Sequence, residues 1–81
     1  MITLYHFYSS RTNRDRYFAI YKCSPTKILR SYIHDNPISA IKTCDSIPLR
    51  AGATSVINTS TKVASVESFE EFESAYPEYL L

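Results

Sequence analysis

Glycine is nearly absent from this chain, with Gly52 alone among 81 residues. A phosphate-cradling loop needs several glycines so that the backbone can approach the anion, so the usual nucleotide-binding loops are excluded. Tryptophan is missing and cysteine occurs only as Cys23 and Cys44. Two well-separated thiols, with no basic segment leading into an apolar core at the N-terminus, do not make a disulfide framework. Reduced, packed thiols and a cytoplasmic location are the expectation. No run approaches the roughly 18 apolar residues of a membrane span, and no membrane partner is expected.

Chemistry-bearing residues are equally sparse. Only His6 and His34 are of the residue type suited to acid–base work near neutrality, and no His/Cys pair has the close spacing of a zinc finger or ribbon. His6 reads as a half-packed strand residue and His34 as a histidine completing a helix C-terminus. Helix capping and solubility account for the five glutamates. No catalytic residue, metal ligand or cofactor is therefore assigned, and the chain is expected not to be an enzyme.

Aromatic residues are what the chain has in plenty, with seven Tyr and four Phe. Tyrosine joins an apolar ring to a hydrogen-bonding tip and is suited to half-buried surfaces that touch partners. A hydrophobic content of 44% with 21% charged residues describes a folded chain. Its length predicts one small domain spanning residues 1–81, with a modest core that gains from a partner or from self-association into a homo-oligomer. The formal charge of +1 hides a division. Residues 1–62 hold all nine Lys and Arg against three Asp, a net +6, whereas residues 63–81 hold five Glu and no base, a net −5.

Two runs rich in β-branched and aromatic residues, 2–8 and 16–23, flank the polar stretch 9–15 and predict an antiparallel hairpin. Alternation puts Ile2, Leu4, His6 and Tyr8 on one face and Thr3, Tyr5 and Phe7 on the other, so neither face is plainly polar. The connection lacks glycine, and Asn13 is the residue suited to a positive φ. Ser24-Pro25 then predicts a helix start, with Ile28, Leu29, Tyr32 and Ile33 as its apolar stripe. Asn36-Pro37 repeats that signature, which gives either a second short helix carrying Ile38, Ile41 and Cys44 inward or one kinked helix.

Residues 45–52 read as a connection, and residues 54–66 as one or two strands turning near 58–60. Ser68-Phe69-Glu70-Glu71 is a capping box that opens a last helix, with Phe69, Phe72 and Tyr76 on its apolar edge and Pro77 closing it. The expected fold is α+β, with order β-β-α-(α)-β-(β)-α. A small antiparallel sheet, the N-terminal hairpin plus one or two later strands, packs against two or three short helices gathered on one face.

With no catalytic signature, binding is the remaining function class. Tyr and Arg are the residues in which interface energy concentrates. Tyr5, Tyr8, Arg11, Arg14, Arg16, Tyr17 and Tyr21 are therefore the expected contacts of a protein-binding module, an inhibitor or adaptor. The alternative is a nucleic-acid-binding protein in which Arg11, Arg14 and Arg16 meet phosphates and strand tyrosines stack on bases. Small size without catalytic motifs also suits the proteins by which phages block a host enzyme or defence system.

Overall fold

The computed structural model describes residues 1–50 and 54–80. It is a mixed α+β domain built on a five-stranded antiparallel sheet, with the N-terminal hairpin at its centre. Strands β1 (Ile2–Ser9) and β2 (Arg14–Lys22) pair over their full length, from Ile2 opposite Tyr21 to Ser9 opposite Arg14. The turn between them uses Asn13 at φ 54°, a conformation that asparagine tolerates better than most residues other than glycine. Tyr8 helps to hold it, its hydroxyl donating to Asn13 Oδ1 at 3.2 Å.

Strands β3 (Ile28–Arg30), β4 (Ile47–Pro48) and β5 (Thr61–Val66) complete the spatial order β4-β3-β2-β1-β5. Pro48 has no N–H to donate, which fits its place on an edge strand. The helices are α1 (Pro37–Lys42), α2 (Thr54–Asn58) and α3 (Phe69–Ala75), followed by a 3-10 turn over Pro77–Leu80.

The expected helix over residues 25–35 does not form. Ser24-Pro25 opens a tight turn instead: Ser24 Oγ accepts from the Lys27 N–H at 3.1 Å, and the Cys23 N–H donates to the Lys27 carbonyl at 3.0 Å. Serine followed by proline serves a β-turn as well as a helix cap, and here the chain reverses to lay β3 beside β2. There Leu29 and Arg30 fall on opposite faces, an alternation that a stripe of Ile28, Leu29, Tyr32 and Ile33 conceals.

Beyond Arg30 the pairing slips by one residue. The Ser31 N–H donates to the Ala19 carbonyl at 2.9 Å, yet the next bridge joins Tyr17 to His34, three residues along one strand against two along the other. The extra residue makes a bulge. Ser31 mends it: its wholly buried hydroxyl accepts from the Ala19 N–H at 2.9 Å and donates to the Tyr32 carbonyl at 2.7 Å. His34 is thus a strand-bridge residue and not a helix C-terminus. Its Nε2 lies 3.2 Å from Thr43 Oγ1, whose own proton goes to the Ser39 carbonyl, so the imidazole supplies the donor.

Further along, the helix caps match their sequence signatures. Asn36 Oδ1 accepts from Ile38 and Ser39 N–H, with Pro37 at the first position of α1. At α3, Ser68 Oγ accepts from the Glu71 N–H, while Glu71 reaches back to the N–H of Glu67, one residue before the cap. Residues 54–66, expected as one or two strands turning near 58–60, hold the single strand β5 after such a break, but the part before it is the helix α2. Gly52 and Leu81, within the predicted connection and tail, lie outside the described residues.

The main core lies on the sheet face of Ile2, Leu4 and Ala19, joined by Ala64 and Val66. Ala40 and Ile41 of α1 and Phe72 of α3 cover it, with Tyr17, Tyr21, Tyr76 and Tyr79 packed at its margin. Not every helix gathers there, since Val56 of α2 lines a cleft on the other face that Phe7 also lines.

Cys44 belongs to this core, whereas Cys23, expected to be packed, is exposed; both thiols are free. Burial, and after it the neighbouring Asp45, pushes the Cys44 thiol above its ordinary range. Burial, with Asp15 adding to it, does the same to the Tyr17 phenol. Each raised value means that the fold favours the neutral form, so stability is intact below the unfolded-state pKa and falls as pH rises through it. The urea midpoint is expected to decline above about pH 8.5, the ordinary thiol value, and Cys44→Ala is expected to make the first part of that decline shallower. Parallel profiles for the two proteins would remove Cys44 as its source.

Candidate docking face

The second sheet face carries a ladder of side chains running across three strands. Tyr5 of β1 stands directly opposite Phe18 of β2, with ring centroids 5.2 Å apart and planes within 12°. On the far side of Phe18 the Arg30 guanidinium of β3 lies 5.5 Å from the ring centroid. Phe18 is fully buried as a result, although it stands outside the main core cluster. Phe7 leans on the same ring at 6.2 Å. Because cross-strand neighbours stack face to face, Tyr5 stands upright on the sheet with part of its ring exposed, while Phe18 is enclosed between its neighbours.

Arginines flank this ladder. Arg14 and Arg16 of β2 share one carboxylate: Arg14 Nη1 donates to Asp35 Oδ2 at 2.8 Å, and Arg16 Nε lies 2.9 Å from Asp35 Oδ1. The second approach is a charge contact alone, since the Nε–H is not directed at that oxygen and has no hydrogen-bond partner among the described residues. Arg16 Nη2 donates to the Ile33 carbonyl at 3.3 Å. Both pairs are half exposed and screened by solvent, so their worth lies in holding residues 33–35 beside β2 more than in stability.

Two clefts open on this face. The larger, of about 520 Å³, has a polar wall of Ser9, Arg11, Thr12 and Arg16. Its apolar wall is Phe7, Ile33 and Val56. The smaller, of about 230 Å³, lies between Arg30, Ile47, Pro48 and Arg50 at the β3–β4 end. All five arginines of the chain thus belong to one face, two in each cleft and Arg14 on the Asp35 carboxylate. The glutamates lie elsewhere. Glu70, Glu71 and Glu73 are exposed on α3, which covers the opposite face through Phe72. The arginines and the α3 glutamates are thus on opposite sides of the sheet, although Lys42 of α1 lies on the glutamate side, over the Phe69 ring at 4.9 Å.

The expected contacts separate accordingly. Tyr5, Arg11, Arg14 and Arg16 share this face or its rim, while Tyr17 and Tyr21 alternate onto the other side and pack against the core. Tyr8 is 59% exposed at the hairpin end, where it holds the turn. Sequence reasoning missed Phe7, Phe18, Arg30 and Arg50 as members of the face. Strand alternation placed Phe7 with Tyr5 and could have found it, whereas Arg30 was hidden by the helical reading of its segment.

On the core side of the hairpin, His6 Nε2 meets Asp15 Oδ1 at 2.8 Å, with the Tyr17 ring 5.1 Å from the imidazole. A histidine oriented by a carboxylate is half of a nucleophilic device, but both cysteines lie elsewhere in the fold. No group of three or more metal-ligating side chains occurs among the described residues. No helix of the described residues is long and apolar enough to cross a membrane. No protein-family model, curated protein or solved structure matches the chain.

Proposed function

We propose that this protein is a small non-enzymatic binding module, an inhibitor or adaptor, that docks its arginine-bearing sheet face on an acidic surface of a protein partner. The observation that carries this reading is the gathering of all five arginines around Tyr5, Phe7 and Phe18, with the glutamates on the opposite side. Arginine and tyrosine held by a rigid sheet lose little conformational freedom on binding. Separated charge orients the approach, and a wrongly turned encounter presents the glutamates to an acidic surface.

Nucleic acid is the competing ligand. A base-stacking platform offers flat ring faces, and here the stacked pair Tyr5 and Phe18 is spent on itself and on Arg30. The upright Tyr5 ring presents an edge and a phenol hydroxyl, which suit a protein surface.

Immobilised protein exposed to lysate, with and without nuclease and at two salt concentrations, separates the two. A protein partner retained after nuclease and only modestly weakened by salt is the expected outcome. Partners lost with nuclease, or with the steep salt dependence of phosphate-backbone contacts, would assign the face to nucleic acid.

A further inference from the structure

We propose that the larger cleft is a subsite for a phosphate monoester carried on an aromatic ring, in the partner a phosphotyrosine side chain. This deepens the docking reading above and rests on it for the source of the phosphate. The polar wall supplies two guanidiniums, from Arg11 and Arg16, and two hydroxyls, from Ser9 and Thr12. No carboxylate lines it. Arg11 is exposed on the hairpin turn and makes no ion pair among the described residues. Arg16 holds its terminal nitrogens loosely: the one hydrogen bond from Nη2, to the Ile33 carbonyl, is long at 3.3 Å, while the Nε–H is buried beside Asp35 and out of a ligand's reach.

A carboxylate presents two oxygens and one charge, fewer than this wall can engage. A phosphoryl group brings three acceptor oxygens and about −1.5 to −2 charge, and arginine pairs with it through two parallel N–H bonds. The apolar wall of Phe7, Ile33 and Val56 specifies the stem. An aromatic ring reaches and covers such a wall, whereas phosphoserine places its phosphate one carbon from the backbone.

Asp35 is an internal competitor, because its carboxylate already sits against Arg14 and Arg16. Asp35→Asn keeps a similar shape and an acceptor oxygen while removing the opposing charge. Affinity for an added phosphate should therefore rise, which a residue of purely structural importance would not produce.

The test is titration of the full chain with phenyl phosphate, inorganic phosphate and phenylacetate, followed by amide chemical shifts. Phenyl phosphate is expected to bind tightest, to weaken about tenfold in Arg11→Ala, the loss of one charge-assisted contact, and to strengthen in Asp35→Asn. Arg11 is an exposed turn residue, and unchanged urea midpoints confirm that its variant is folded. Equal affinity for inorganic and phenyl phosphate, phenylacetate binding as well as either, or indifference to Arg11→Ala each overturns the subsite.

Phosphatase treatment of the lysate identifies the source. Lost capture of the protein partner is expected, and unchanged capture overturns the assignment to a phosphorylated side chain. The titration needs no partner, so the two readings fail separately. Phenyl phosphate binding that persists while capture ignores Arg30→Ala contradicts the docking face and leaves the anion subsite standing.

Discussion

Phe18→Ala is expected to lower the stability of the domain by about 3–5 kcal/mol, the range for a large aromatic removed from a packed interior. The residue is fully buried, yet it lies outside the cluster around Leu4 and Phe72. Its surroundings are Tyr5 on one side, Arg30 on the other and Phe7 leaning on its edge. Removing it takes the shared wall from all three. Phe7→Ala, at a half-exposed position on the same ring, is expected to cost clearly less. Urea denaturation of the two variants decides the matter. A Phe18 effect no larger than that of Phe7 would mean that the second face is a loose surface and not an ordered ladder.

The second large effect is expected at Ser31. Its hydroxyl replaces the strand partner that the bulge removes, so Ser31→Ala leaves the buried Ala19 N–H without an acceptor. A buried donor left unsatisfied costs about 1–3 kcal/mol. Threonine keeps the hydroxyl and should retain most of the stability. Valine, of similar shape but without an oxygen, should not. Native-state hydrogen exchange adds a local readout, since the Ala19 amide should lose protection in Ser31→Ala by more than the fall in global stability explains. Equal stability of the valine and threonine variants would show that the hydroxyl does not carry the ladder.

How much of this was legible in the sequence differs from element to element for physical reasons. The hairpin was visible because β-branched and aromatic runs flank a polar turn, and Asn13 was identified by the chemistry of positive φ alone. The caps at Asn36 and Ser68 were visible because a cap is a local hydrogen-bond arrangement encoded within four residues. β3 was not visible. Its strand character arises from pairing with β2, a non-local event, while Ser24-Pro25 locally serves a turn and a helix start equally well.

Residues 54–58 went the other way, a run of serine, threonine and β-branched residues that becomes the helix α2. Local propensity is weak enough for tertiary context to override it in either direction. Those errors propagated to the candidate site. Arg11, Arg14, Arg16 and Tyr5 could be found on a correctly placed hairpin. Tyr17 and Tyr21 were grouped with them by residue type, although the period of two that defines a strand turns them toward the core. Arg30 needed β3 to exist before it could join the face.

The central claim, that the face bearing the arginines is the docking surface and the glutamate side is not, is tested most directly by capture with matched charge reversals. One variant carries Arg30→Glu on the proposed face; the other carries Glu70→Lys and Glu73→Lys on α3. All three are surface-accessible or half-buried positions, and urea midpoints establish that each protein remains folded. The account predicts that Arg30→Glu abolishes retention of the protein partner while the α3 variant retains it. Loss of the partner in the α3 variant, with full retention in Arg30→Glu, would contradict it.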